Sequence, residues 1–317
     1  MVGEVMNNLQ KSNNMSIPVV SIIVPNYNHS KFLEQRLASI FNQTYQAFEV
    51  IILDDCSTDN SRDIIERYRS NPKVSNIIYN EVNSGSPFKQ WYKGIQLAKG
   101  EYVWIAESDD TCEPCFLETL MMWINKINNC VLAYCGTNDI DKEGRIISKQ
   151  EYIERDTLYT GTSFVAKKLL LGNCVYNASC AVFKRTSALS ISMEWIDSRG
   201  AGDYYLWTFL AGSGKVCSLN KPLAYRRIHD TNVTHKADSS GSNLTDERKI
   251  VDYIYSKYHI AIWRKILAEN LRRRRLLTEK FDNEIIRKEL LSLWTYGGKI
   301  QILAEIITKA YFTLTKC

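Results

Sequence analysis

The sequence predicts an α/β fold, a mostly parallel central sheet flanked by helices, followed by a helical extension at the C-terminal end. Three observations carry that expectation. Short apolar runs of strand length alternate with helix-period segments through the first half of the 317 residues, the pattern of βαβ units. Acidic residues gather directly after several of those runs. Beyond residue 245 only helical periodicity remains. With 45% of its residues hydrophobic, the chain has material for a sizeable core.

Val19 to Val24 reads as a first buried strand. Phe32, Leu33, Leu37, Ile40 and Phe41 recur at helical spacing after it, and Val50 to Leu53 forms a second short strand, closing a βαβ unit. Ile64, Ile65 and Tyr68 mark a helix, Ile77 to Tyr79 a strand, Trp91 and Ile95 a helix, and Tyr102 to Ala106 a fourth strand. The second half reads as mixed. Val131 to Tyr134 and Ala181 to Phe183 look like strands, with a hairpin turn at Asp141-Lys142-Glu143-Gly144-Arg145 between them. Ala237 to Leu244 is rich in Ser, Gly and Asn and reads as a linker. Ile250, Ile254, Ile262, Ile266, Leu267 and Leu271 then lie on recurring helical faces.

In open parallel sheets ligands bind beyond the carboxyl ends of the strands. Those ends carry Pro25-Asn26-Tyr27-Asn28, Asp54-Asp55 and Glu107-Ser108-Asp109-Asp110. Like charges gathered at one edge favour a hard cation such as Mn²⁺ or Mg²⁺, which grips a diphosphate; the competing reading is that each acid caps the helix after it. No G-x-x-x-x-G-K-[ST] occurs and no G-x-G-x-x-G follows the first strand, which argues against a P-loop ATPase and a dinucleotide dehydrogenase. Without a glycine cradle, phosphates must be held by metal and side chains. The nine cysteines are odd in number and scattered, as expected of reduced thiols. Cys112 and Cys115 have zinc-like spacing, but no second pair follows to complete four ligands.

Val20-Ser21-Ile22-Ile23-Val24-Pro25-Asn26-Tyr27-Asn28, followed by Ile52-Leu53-Asp54-Asp55-Cys56-Ser57-Thr58-Asp59, resembles the opening of the family 2 glycosyltransferases. Asn83-Ser84-Gly85, Gly94-Ile95, Ala98-Lys99-Gly100-Glu101-Tyr102 and Ser108-Asp109-Asp110 continue the match in order. Cys56 stands where the family has Gly, and Tyr92 where it often has Asn. The resemblance covers about Val19 to Pro114 firmly, extends loosely to Asn232, and ends before the C-terminal helices. It implies a GT-A type nucleotide-binding fold and transfer of a sugar from a nucleotide-diphosphate donor to an acceptor hydroxyl with inversion. Pro25, Tyr27, Asn28, Lys89, Glu107 and Ser108 then belong to the donor site, and Asp54 or Asp55 reads the base. Glu107-Ser108-Asp109 takes the place of the D-x-D motif. Asp109 is the leading metal ligand and Asp110 the next.

Gly202-Asp203-Tyr204-Tyr205-Leu206-Trp207 resembles the family's acidic motif at a helix start, which makes Asp203 the expected general base. A sugar hydroxyl needs one at neutral pH. Tyr225-Arg226-Arg227-Ile228-His229-Asp230-Thr231-Asn232 resembles the Y-R-x-H-x-x-N loop of relatives, placing His229 at the metal or diphosphate and Arg226 at phosphate oxygens. The organisation expected is a polar extension at 1–18, a catalytic domain at 19–236 with donor half 19–114 and acceptor half 115–236, a linker at 237–245, and a basic helical region at 246–317. The donor expected is a UDP-sugar, then a dTDP-sugar, and the acceptor a saccharide, with the lipid-linked acceptors of bacterial surface polysaccharide assembly as the nearest analogy. The rival readings are a catalytically silent sugar-nucleotide-binding or assembly protein and a nucleotidyltransferase. A glycoside hydrolase would leave the strand-end pattern unexplained.

The formal charge of +5 hides an asymmetry, because residues 248–317 hold fifteen Lys/Arg against seven Asp/Glu. Arg272-Arg273-Arg274-Arg275 beside apolar helices suggests contact with an anionic membrane surface; packing on the catalytic domain or pairing in a homodimer is the alternative. No reading module accompanies the run, so nucleic acid is not an expected partner. No secretory signal is read at the start, and no run of about eighteen apolar residues suits a membrane span. The expected location is cytoplasmic, peripheral on the inner face of the cell membrane.

Overall fold

A computed structural model describes residues 19–149, 155–198, 200–229, 242–278, 281, 284–294 and 297–315. The expected N-terminal extension, most of the linker, and Asp230 to Asn232 lie outside the described residues.

Strands β1 (Val20–Asn26), β2 (Phe48–Asp54), β3 (Val74–Tyr79) and β4 (Tyr102–Ile105) run parallel in the order β3-β2-β1-β4. Every residue of β1, β2 and β4 is buried. A strand covered on both faces needs apolar residues at consecutive positions, which is why these segments read as unbroken runs. The crossovers are α1 (Ser30–Phe41), α2 (Ser61–Glu66) and α3 (Pro87–Leu97). Helix α1 buries Leu33, Arg36, Leu37 and Ile40, one stripe at helical spacing. Helix α3 lies so close on β1 that a Cβ at Gly94 would fall 2.4 Å from Ile23 Cγ2.

Beyond β4 the sheet becomes mixed, continuing β4-β9-β6-β10-β5 through β9 (Ala181–Lys184), β6 (Cys130–Ile140), β10 (Lys215–Arg227) and β5 (Thr111–Cys112). Strand β9 is antiparallel to β4 and β6, while β10 is parallel to β6. The turn at Asp141 to Arg145 forms, but it joins β6 to β7 (Ile146–Ser148), not to the strand at Ala181; β8 (Thr157–Thr160) pairs antiparallel with β10. Strand β10 escapes sequence reading because Asn220, Lys221 and Pro222 interrupt it. Register shifts on both sides of Pro222 absorb the residue that cannot donate to the ladder. Helices α4 (Phe116–Lys126), α5 (Gly161–Lys167), α6 (Arg185–Leu189) and α7 (Gly202–Gly212) cover the faces.

The chain returns to opposite sides of β1 when it forms β2 and β4, so a crevice opens past their carboxyl ends. The pairings Asn26 with Asp54 and Ile23 with Ile105 bring the three acidic or polar strand ends onto one edge.

Four helices follow: α8 (Ser242–Lys257), α9 (Ile262–Thr278), α10 (Glu284–Leu293) and α11 (Gly298–Thr315). Helix α8 starts at Ser242, inside the stretch read as linker. It docks on the body built around the sheet, where Phe209 and Tyr253 stack at 4.3 Å and Ile250 and Ile254 join the main core. Leu244, Val251, Leu276, Leu290 and Trp294 form a second cluster among these helices.

The arginine run does not form the free cationic patch expected of it. Arg272 is buried, donating to Glu247 Oε2 at 2.9 Å, Leu170 O at 3.0 Å and the Tyr204 hydroxyl at 3.1 Å. Arg275 pairs with Glu247 Oε1 at 2.6 Å and Arg273 with Glu305 at 3.3 Å; Arg274 is exposed. Residues 272 and 275 are one helical turn apart and share a face, which α8 meets with Glu247. Among the described residues, no helix is long and apolar enough to cross a membrane.

Candidate active site

A cleft of about 430 Å³ opens at the sheet edge, lined by Pro25, Tyr27, Asn28, His29, Asp55, Asn83, Gln90, Glu107 and Ser108 among others. The floor is built by hydrogen bonds between strand ends. Asn28 sits in the left-handed region at φ 56, which Asn tolerates better than most residues. Its N–H donates to Ser57 Oγ at 2.9 Å and its Oδ1 accepts from Thr58 N at 2.8 Å, so it fastens the β1 loop to the β2 loop. Tyr27 stays exposed at the rim. Cys56 also lies in the left-handed region, at φ 65, and this is the position where the family has Gly.

The two aspartates after β2 differ in role. Asp54 is buried and committed to the scaffold, accepting from Asn26 Nδ2 at 2.9 Å, Ser57 N at 3.1 Å and Arg62 Nε at 3.1 Å. Asp55 lines the cleft, held by Asn80, Ser84 and Gln90 at 2.6–3.1 Å. Of the pair, Asp55 is the one that faces the cleft. Lys89 lies next door, on a smaller cavity that Ser86 and Asp197 also line.

After β4 the four residues turn in different directions. Glu107 lines the cleft and accepts from Trp91 Nε1 at 2.7 Å. Burial, with Asp109 and Asp110 beside it, holds its carboxyl well above the usual range. Asp110 faces away, accepting from Ser179 Oγ at 2.7 Å, Asn177 Nδ2 at 2.9 Å and Arg227 N at 3.0 Å. Burial and the charge of Asp109 push it up to about 6. Behind them Arg36 is fully buried with its guanidinium 4.9 Å from the Trp104 ring centre, and its charge draws the Glu107 and Asp110 carboxyls back down.

Asp109 points to two histidines. His229 Nε2 lies 2.9 Å from Asp109 Oδ2, and the His29 and His229 rings meet edge-on at 5.4 Å. Ser108 Oγ holds His29 Nδ1 at 2.8 Å. Burial would raise the Asp109 carboxyl, but the hydrogen bond with His229 and the two imidazoles outweigh it and hold the group below its ordinary value. Burial lowers His29. Among the described residues, His29, Asp109 and His229 form the one group of three with metal-ligand atoms all within 4.8 Å of one another. The donor set fits a divalent ion; Asp110, the second expected ligand, is not in it.

Asp203 stands in the first turn of α7, which packs against α3 so closely that a Cβ at Gly202 would fall 2.6 Å from Phe88. Asn173 Nδ2 donates to its Oδ2 at 2.8 Å. Burial pushes the carboxyl up to about 6, while that hydrogen bond and the Tyr204 N–H oppose the rise. Such a group is ionised at neutral pH yet basic enough to take a proton. Arg226, expected at phosphate oxygens, is engaged within the protein. It pairs with Asp139 through Nε at 3.0 Å and lies against the Tyr176 ring at 4.2 Å. The neighbouring Arg227 turns inward and donates to the Asp109 carbonyl at 2.8 Å.

Sequence reasoning missed His29, although it directly follows the Pro25-to-Asn28 run and that adjacency was its signal. It also missed Asn173, Asn177 and Ser179. Asn173 lies outside regular elements and Asn177 caps the short 3-10 helix Ala178–Cys180 that holds Ser179, segments too short to show a periodic pattern.

The sequence profile described as Glycosyl transferase family 2 matches residues 21–190. A putative teichuronic acid biosynthesis glycosyltransferase of Bacillus subtilis, TuaG, is 27% identical over 218 residues, covering 68% of this chain and 82% of TuaG. Chondroitin synthase of Escherichia coli is 28% identical over 272 residues, 85% of this chain but only 37% of that longer protein. Among solved structures, TarS of S. aureus in complex with UDP-GlcNAc superimposes with a TM-score of 0.67 at 19% identity, covering 86% of this chain and 79% of that one. A mannosyltransferase of Pyrobaculum calidifontis in complex with GDP-Man and Mn²⁺ gives 0.53 at 15% identity, covering 96% and 92%. These likenesses bear on the fold, which is of the GT-A type.

Proposed function

The chain belongs to glycosyl transferase family 2, and on that premise we propose that it is a divalent-metal-dependent, inverting glycosyltransferase using a UDP-sugar, with a dTDP-sugar as the next choice. The observation that carries the reading is the joint presence of a cleft lined by His29, with Asp109 and His229 grouped around that histidine, and a carboxyl at Asp203 tuned to about 6. UDP is favoured because TarS, whose fold this chain shares, binds UDP-GlcNAc; the sugar is a hexose or an N-acetylhexosamine.

In this mechanism the base end of the donor lies against Asp55 and the Pro25-to-Asn28 loop. Asp109 and His229 would hold Mn²⁺ or Mg²⁺ at the diphosphate end. The ion supplies positive charge against the departing nucleoside diphosphate. Asp203 takes the proton of the acceptor hydroxyl as its oxygen bonds to the anomeric carbon and the bond from that carbon to the β-phosphate oxygen breaks. Glu107, whose carboxyl burial holds above its ordinary value, faces the donor in the cleft.

The acceptor is a saccharide of bacterial surface-polysaccharide assembly, lipid-linked and met at the inner face of the membrane. Helix α11 supports the peripheral placement: Ile302 and Ile306 are 63% and 58% exposed, with Lys299 and Lys309 exposed beside them. The experiment is incubation of the full chain with UDP-, dTDP- and GDP-sugars and a saccharide acceptor, following nucleoside-diphosphate release and product mass. Transfer from a UDP-sugar with inverted linkage is expected. Folded protein that consumes no nucleotide sugar under any metal refutes the reading.

A further inference from the structure

We propose that His29 is a third protein ligand of the ion, so that two imidazoles and one carboxylate hold it and the site selects Mn²⁺ over Mg²⁺. The proposal rests on the transferase reading only for the diphosphate that would complete the coordination sphere; binding of the ion itself is independent of it.

The geometry is that of a coordination polyhedron. His229 Nε2 and Asp109 Oδ2 are 2.9 Å apart. Two ligands at right angles on one ion, each bonded at about 2.1 Å, lie about 3 Å from each other. The same spacing serves a hydrogen bond, so this edge alone does not distinguish the two. The third member does. A ring nitrogen of His29 falls within 4.8 Å of both other ligand atoms, so three segments far apart in sequence, after β1, β4 and β10, bring their ligand atoms together. His29 is held by Ser108 Oγ at 2.8 Å, the arrangement of an outer-sphere partner that orients a ligating ring. Phe32 packs against both histidines, at 6.3 Å and 5.1 Å between ring centres, and restrains them on a dry side.

The choice of ion follows from the donor atoms. Mg²⁺ prefers oxygen ligands and keeps its waters, whereas imidazole suits the first-row transition ions. A site with two nitrogens and one carboxylate oxygen would discriminate against Mg²⁺ before any nucleotide binds.

The test uses the full chain, stripped of metal, in the absence of nucleotide. Mn²⁺ and Mg²⁺ affinities are measured by titration, and nitrogen coupling to bound Mn²⁺ is read by electron spin-echo spectroscopy. Wild type should bind Mn²⁺ at least about tenfold tighter than Mg²⁺ and show two coordinated imidazoles. His29→Gln should show one, and should lose at least the roughly ten- to hundredfold in Mn²⁺ affinity that removal of a supporting contact costs. Ser108→Ala should shift affinity in the same direction by less while keeping two imidazoles. Thermal unfolding of each variant identifies misfolding, and Ser108→Ala, which leaves all three ligands in place, is the fallback. Wild-type Mn²⁺ affinity and an unchanged nitrogen signal in His29→Gln overturn the proposal. Intact Mn²⁺ binding with no sugar transfer from any donor refutes the transferase reading and leaves this one standing.

Discussion

Replacing Asp203 by Asn changes a proton acceptor into a near-isosteric amide that can still accept the hydrogen bond from Asn173. What is lost is basicity. A carboxyl near 6 is about nine-tenths ionised at pH 7 and about one-tenth at pH 5, so wild-type turnover should fall on the acid side with an apparent midpoint near 6. Removal of a positioned general base costs about two to four decades in kcat, or roughly 3–5 kcal/mol of barrier. Donor KM should change little, because Asp203 lies outside the donor cleft lining. Asn173→Ala supplies the companion measurement: it removes a hydrogen bond that lowers the Asp203 carboxyl, so the acid limb should move to higher pH. Stability should move the other way. The folded-state value lies above the unfolded one, so the fold favours the protonated acid, and that contribution is lost as pH rises through about 6. Asp203→Asn should therefore unfold at higher temperature than wild type at pH 7. Initial-rate kinetics across pH, with donor and acceptor varied separately, decide the matter. Normal kcat with raised donor KM in Asp203→Asn would refute the general-base role.

Asp109→Ala and chelation by EDTA should each abolish transfer, and full activity in chelated enzyme would remove the metal from the mechanism. Cys56→Gly should raise the denaturant midpoint by the equivalent of about 0.5–1 kcal/mol: relief of a left-handed side-chain clash worth roughly 1–2 kcal/mol, less the unfolded-state entropy of glycine. Arg272→Ala should destabilise by about 3–5 kcal/mol in urea unfolding, because it strands Glu247 without one of its two arginine partners in a buried setting. Ile302→Glu with Ile306→Glu should reduce sedimentation with anionic liposomes while transfer to a soluble acceptor is retained; unchanged liposome binding would exclude α11 as the contact.

The sequence by itself determined the parallel half of the sheet, because strands buried on both faces must be apolar throughout and the helices between them must carry one stripe. It also located the acidic edge, since local chain order places residues at strand ends. Order along the chain does not say which way a side chain turns. Asp54 and Asp55 are adjacent, yet one is spent on Asn26 and Arg62 and the other lines the cleft. Asp109 and Asp110 are adjacent, yet only the first faces the histidines. The arginine run shows the same limit: charge in a sequence looks solvated until a distant carboxylate, here Glu247, is folded against it. The site at His29, Asp109 and His229 spans 200 residues of chain, and only the tertiary structure could bring its members together.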